Sequence, residues 1–262
     1  MAKTIAVDIG HGTDTSGKGV THGGQFYAEH SFNSDVGLRL QAELERHGFR
    51  VWLPQPANSA EVGLSERTTK ANDRGIDLFW SIHANAGGGS GVCAFYWNTS
   101  TAGRQLAEAF AKEMQAAGFA LHGGGTHAGE RGKWTNLHVT RETAMPAVLA
   151  ENGFMDNAQD FEGIFGSDRE SYRQRVAETH AKVICGHFGV AYKPASAESS
   201  AKEGEYMELN ETRHGRQVDI LEQLAEKGLI HEKHAAEMKA GEWRQADAIY
   251  VLYEIYAREL LK

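Results

Sequence analysis

The chain is 262 residues long, 41% hydrophobic and 24% charged, with a formal net charge of −8. That length admits one sizeable α/β domain plus an appendage, and the composition is that of an ordinary globular protein. The acidic balance excludes nucleic-acid binding through bulk charge, which needs clustered Lys and Arg. No apolar run reaches the roughly 18 residues of a membrane span, so neither nucleic acid nor membrane is an expected partner.

In chain order, residues 4–9 (TIAVDI) read as a buried strand. Residues 31–48 place Phe32, Val36, Leu40 and Leu44 on one helical stripe that ends at Gly48. A strand (FRVWLP), a helix (LSERTTKANDRG) and the strand IDLFWSIHA at 76–84 follow. After a Gly-rich turn come the strand GVCAFYW, a helix closed by Gly118, the buried strand MPAVLAENGF and the helix RESYRQRVAETHAKVICGHFGV. Strands alternating with helices predict an α/β fold: a mostly parallel twisted sheet flanked by helices. Cys93 and Cys185 stand in apolar surroundings and read as buried free thiols.

Residues 193–204 (KPASAESSAKEG) read as a linker. Residues 205–262 then read as a small all-α C-terminal bundle, marginal on its own. In its last helix Tyr250, Tyr253 and Tyr256 recur every third position, which suits a core or a homodimer seam. The two histidines of HEKH (231–234) read as surface residues. The amino-terminal MAKTIAVDIGHG enters an apolar strand at once, so no secretory signal is expected.

The stretch VDIGHGTDTSGKG (7–19) admits two readings. Gly12, Gly17 and Lys18 have the spacing of a phosphate loop, but Gly19 stands where that loop needs Ser or Thr. The following GVTHGGQ cannot start a helix, and Asp14 would place a negative charge in the cradle. The phosphate reading is therefore excluded.

The metal reading begins with His11, just past a strand between two glycines. Glu29 directly precedes the helix at 31–48, His83 ends DLFWSIHA, and Glu151 ends PAVLAE. In open α/β sheets, ligands gather beyond the carboxyl ends of strands. Each residue also has an ordinary reading: a hydrogen-bonded histidine, or a glutamate favoured near a helix N-terminus. A carboxylate ending a buried strand is less ordinary, because it is costly unless paired. Pattern alone leaves both readings open. His127-Ala-Gly-Glu130 offers a rival H-x-x-E pair of the kind a carboxypeptidase-like metallohydrolase uses, set in a Gly-rich stretch.

VDIGHG, then Glu29 before SFNSDVGLRLQAELERHGFRV, then LSERTTKAN, DLFWSIHANA and PAVLAENGFMDNAQD occur in that order. Together they resemble the zinc-dependent N-acetylmuramoyl-L-alanine amidases of autolysins and phage endolysins, over residues 3–192. The resemblance implies a catalytic domain at 1–192 with one zinc ion held by His11, Glu29 and His83, and Glu151 as the catalytic acid and base. Ile9 and Thr13 depart from the family's usual Pro and Gly without touching a ligand position. The glutamate match at Glu29 follows an unusually long loop, with His22 as a competing donor. Asn85 and Arg131 are expected at the substrate, and the C-terminal unit at wall targeting or dimerisation. The implied substrate is bacterial peptidoglycan, cut between the lactyl group of muramic acid and L-alanine. The implied setting is an endolysin made in the cytoplasm and released to the wall by another agent. A mother-cell or autolytic amidase, or a wall-binding protein on the same scaffold without catalysis, are the alternatives.

Overall fold

The structure, a computed structural model, describes residues 2–194. The expected linker beyond residue 194, the helical bundle, its tyrosine seam and the HEKH histidines lie outside the described residues. In chain order the elements are β1 (Thr4–Ile9), β2 (Gly19–His22), β3 (Gln25–Ala28), α1 (Glu29–Arg46), β4 (Arg50–Trp52), α2 (Leu64–Asp73) and β5 (Leu78–Asn85). They continue as β6 (Val92–Trp97), α3 (Thr101–Ala116), β7 (Leu121–Gly129), α4 (His138–Arg141), β8 (Ala147–Phe154), α5 (Ala158–Ile164) and α6 (Arg169–His187).

Six strands form one sheet in the order β4-β1-β5-β8-β6-β7. Neighbours run parallel except β6 and β8, which are antiparallel. The central strands are apolar at nearly every position because both faces are covered. Val7, Trp80, Ile82, Ala94 and Val148 point into the larger core with α1, α3 and α6. Ala6, Phe79, Cys93, Phe95 and Leu149 form a smaller core with α2 and α4 on the other face. Cys93 and Cys185 are both free and buried, as expected. Among the described residues no helix is long and apolar enough to cross a membrane.

Two buried polar ties cross these layers. Arg67 of α2 reaches through to Asp8 of β1 at 3.2 Å, and the Ser81 hydroxyl donates to the same carboxylate at 2.7 Å. On the opposite face the Trp80 indole donates to Nδ1 of His180 at 3.1 Å, and His180 Nε2 donates to Oδ1 of Asn152 at 2.9 Å. Nδ2 of Asn152 then donates to the His83 carbonyl at 3.0 Å. Each tie satisfies polar groups that burial would otherwise leave costly.

The hairpin strands β2 and β3, strand β7 and the short helices α4 and α5 are not among the expected elements. The long loop before Glu29 contains a hairpin, β2–β3, turning at Gly23 and Gly24 with φ of +58° and +81°. Successive positive φ values define the two-residue turn that suits the strand twist. Strand β7 runs through LHGGGTHAG, where Gly123, Gly124 and Gly125 all have positive φ. The pairing with β6 shifts register between Val92 and Ala94, so β7 lacks the alternation that marks a strand.

Candidate active site

Beyond β1 the Gly10 N–H still donates to the Ile82 carbonyl at 3.0 Å. His11 then turns left-handed, with φ of +60°, which is uncommon for a residue bearing a side chain. The first turns of α1 hold it there. The Gly10 carbonyl accepts from Nδ2 of Asn33 at 3.0 Å and Nδ1 of His30 at 3.2 Å. Gly10 has no room for a side chain: a Cβ would lie 2.5 Å from Cε1 of His83 and 2.7 Å from Nδ2 of Asn33. At Gly12 a Cβ would lie 2.2 Å from the Glu61 backbone nitrogen. The Gly-His-Gly stretch is thus a packing requirement on both sides of the imidazole.

Glu29 does not precede the helix but is its first residue. The hairpin accounts for the shift, since β3 runs directly into α1 and the Glu29 N–H donates back to the Lys18 carbonyl at 3.2 Å. The Glu29 carboxylate lies between two imidazoles, with Oε2 at 3.2 Å from His11 Nε2 and Oε1 at 2.9 Å from His83 Nδ1. Asn33 Nδ2 and the Ala84 N–H also donate to Oε1, at 3.1 and 3.2 Å. Burial pushes the Glu29 carboxyl up, but the hydrogen bonds and charges of His11 and His83 outweigh it and hold it well below the usual carboxylate range. For His83, burial favours the neutral ring, and Glu29 reverses that preference.

One donor atom from each of His11, Glu29 and His83 lies within 4.8 Å of the others. Two imidazoles and a carboxylate converging from a loop, a helix start and a strand suit a hydrolytic zinc site with an open position. Glu29 is also pre-oriented by Asn33 and Ala84, as metal-binding carboxylates commonly are. The residues fit such an ion.

Glu151 pairs in register with His83 on one side and Cys93 on the other. Neither His83 nor Glu151 ends its strand. They are interior to β5 and β8, and the sheet continues to Asn85 and Phe154 after a register shift. Oε2 of Glu151 is buried and has no hydrogen-bond partner. Burial pushes its carboxyl up to about 8, with the His83 charge drawing it down and the Glu29 charge adding to the rise. A carboxyl poised near neutrality can both take and return a proton. Burial and Glu151 push the Cys93 thiol up to about 12, which removes it as a nucleophile.

A cavity of about 390 Å³ contains His11, Glu29, His83 and Glu151, with Lys18 and His138 also on its wall. Asn85 lines it too, its Oδ1 accepting the Ala86 N–H at 2.8 Å. Arg131 does not line it. Strands β6 and β7 run against β8, so the turn carrying Arg131 leaves the sheet where β8 begins. His127 is packed against the rings of Phe95 and Trp134 at 5.0 and 5.2 Å, and Glu130 is exposed. The H-x-x-E pair does not join the cluster. His22 stacks on Phe161 at 4.2 Å, so it does not compete with Glu29. Sequence reasoning passed over His30, Asn33 and Asn152. No sequence pattern marked them: His30 and Asn33 flank the unbroken apolar stripe of α1, and Asn152 is a polar residue inside the apolar strand β8.

A family model described as N-acetylmuramoyl-L-alanine amidase matches residues 5–185. The N-acetylmuramoyl-L-alanine amidase CwlM of Bacillus licheniformis is 33% identical over 199 residues, covering 73% of this chain and 71% of that one. The endolysin of Bacillus phage SPP1 is 30% identical over 197 residues, covering 70% of this chain and 65% of its own length. Among solved structures, the catalytic domain of CwlV, an N-acetylmuramoyl-L-alanine amidase from Bacillus (Paenibacillus) polymyxa, superposes with a TM-score of 0.62 at 29% identity. That match covers 72% of this chain and 99% of the domain.

Proposed function

The chain belongs to the N-acetylmuramoyl-L-alanine amidase family, and from that premise we propose that it is a zinc-dependent peptidoglycan hydrolase. Its reaction adds water across the amide joining the lactyl group of N-acetylmuramic acid to the L-alanine of the stem peptide. The observation that carries this reading is the convergence of His11, Glu29 and His83 beside the unpartnered Oε2 of Glu151. The similarity to a phage endolysin supports release to the wall during host lysis as the setting.

Zinc in such a donor set supplies Lewis acidity, polarising a carbonyl oxygen and easing removal of a proton from water. His11, Glu29 and His83 would hold the ion, and Asn33 fixes both the Glu29 carboxylate and the Gly10 carbonyl behind His11. Glu151 takes the proton of the attacking water on Oε2. It then returns that proton to the nitrogen of the departing L-alanine, because an amine leaves poorly unless protonated. The carboxylate product stays with the lactyl group. Asn85, on the cavity wall after His83, is placed to hydrogen-bond the substrate.

Digestion of purified peptidoglycan tests the reading, following new amino groups and new reducing ends in parallel. The expected product is N-terminal alanine with no reducing sugar. Glu151→Gln should lower the rate about 10²- to 10⁴-fold, the usual contribution of a positioned acid and base. Reducing ends, amino groups on residues other than alanine, or a fully active Glu151→Gln would overturn the assignment.

A further inference from the structure

Among the described residues, the cavity wall carries one cation without a partner. Lys18 sits between Gly17 and Gly19, and its carbonyl accepts the Glu29 N–H at 3.2 Å, which fixes its backbone beside the first turn of α1. Its side chain is exposed, faces the cavity that holds His11, Glu29, His83 and Glu151, and forms no ion pair among the described residues. Arg67 also lines the cavity but is fully engaged: by Asp8 at 3.2 Å, by the Val62 carbonyl at 2.6 Å and by Glu61 at 3.3 Å. Glu61 is itself held by Arg67 and by the Thr15 hydroxyl at 2.6 Å.

An anionic substrate group entering this cavity therefore meets a single uncommitted ammonium. In a peptidoglycan stem the residue after L-alanine is a glutamate joined through its γ-carboxyl, which leaves the α-carboxyl either free or amidated. That group lies within two residues of the scissile amide, a span of about 7 Å at most. We propose that Lys18 is a specificity residue that pairs with this free carboxylate, so that the enzyme prefers unamidated stems. The proposal rests on the peptidoglycan reading given above. A charge-assisted hydrogen bond is roughly twice as strong as a neutral one, and exposure to solvent keeps the gain modest.

The test compares kcat/KM on two soluble muropeptides that differ only in whether this carboxyl is free or an amide. Wild type should favour the free acid about tenfold, mainly through KM. Lys18→Gln should bring the ratio to about one, and Lys18→Arg should keep most of it. A wild-type ratio of one, a ratio untouched by Lys18→Gln, or an equal loss on both substrates would overturn the role, the last because Lys18 would then act through Glu151. If wild type also releases no N-terminal alanine from whole peptidoglycan, the amidase reading fails with it. Digestion of peptidoglycan with no preference between the two stems overturns the Lys18 proposal alone.

Discussion

His11 adopts a backbone conformation that costs on the order of 1–3 kcal/mol for a side-chain-bearing residue, and the surroundings over-determine it. Asn33 and His30 fix the carbonyl before it, and Gly10 lets the His83 ring pack directly against the chain. Gly10→Ala would put a methyl group inside that ring's contact distance. Displacing a reacting group by about 1 Å can cost about a hundredfold in rate. Gly10→Ala is therefore expected to keep its far-UV circular dichroism while losing at least about tenfold in digestion rate and binding less than one zinc per chain. A variant with full zinc content and wild-type rate would remove the packing argument. Of the expected residues, His11, Glu29, His83, Asn85 and Glu151 line one cavity; His11, His83 and Glu151 were legible because polar side chains in or after apolar runs stand out in the sequence. Arg131 lies off the cavity wall, in a place that depends on the reversal of β6, which no local pattern records. Asn33 and His30 were missed because a buried polar residue near a helix start looks like any other polar residue there.

Between elements, the tie from Trp80 through His180 and Asn152 to the His83 carbonyl joins β5, α6 and β8 directly behind the site. His180 is 0% exposed, and burial pushes its ring down to about 3. It is neutral when folded, whereas unfolded it titrates near the usual value of about 6.5. The unfolded chain binds the extra proton between these values, so this contribution is complete above pH ~6.5 and is lost as pH falls towards 3. The slope is about 1.4 kcal/mol per pH unit, or about 2 kcal/mol between pH 7 and pH 5. Urea unfolding of wild type and His180→Gln at both pH values checks this. The variant should be less stable at pH 7 but about 2 kcal/mol less sensitive to acidification, and parallel slopes would refute it. The elements recovered from sequence are β1, α1, β4, α2, β5, β6, α3, β8 and α6, each either an apolar run bounded by turn residues or a helix-length segment between strands. The hairpin and β7 escaped because glycine carries no hydrophobic signal. The one-turn helix α4 and the short α5 are shorter than a periodic pattern needs.

Across the described residues, the proposed ion would connect parts of the chain far apart in sequence: the segment after β1, the start of α1 and β5. An ion bound to the folded chain alone stabilises it by mass action, by about 4 kcal/mol when present at about 1,000 times its Kd. For a domain of this size that corresponds to about 10 °C in Tm. Treatment with a chelator should abolish digestion and lower Tm by that order, and added zinc should restore both. An unchanged Tm and rate after verified metal removal would count against the centre.

The hairpin that brings Lys18 to the cavity is constrained very differently at its two ends. At the root, a Cβ on Gly19 would lie 2.1 Å from the Tyr27 carbonyl, and the Lys18 carbonyl is tied to Glu29. At the tip, Gly23 and Gly24 have no neighbour within 4 Å of a built Cβ. One residue inserted near the root would exchange the inward and outward sides of β2 and pull the lysine off the wall. A foreign peptide spliced between Gly23 and Gly24 would instead hang in solvent, about 14 Å from Gly19 at strand spacing. The tip is a natural socket for an affinity handle or a fluorophore that reports on the reaction from outside it.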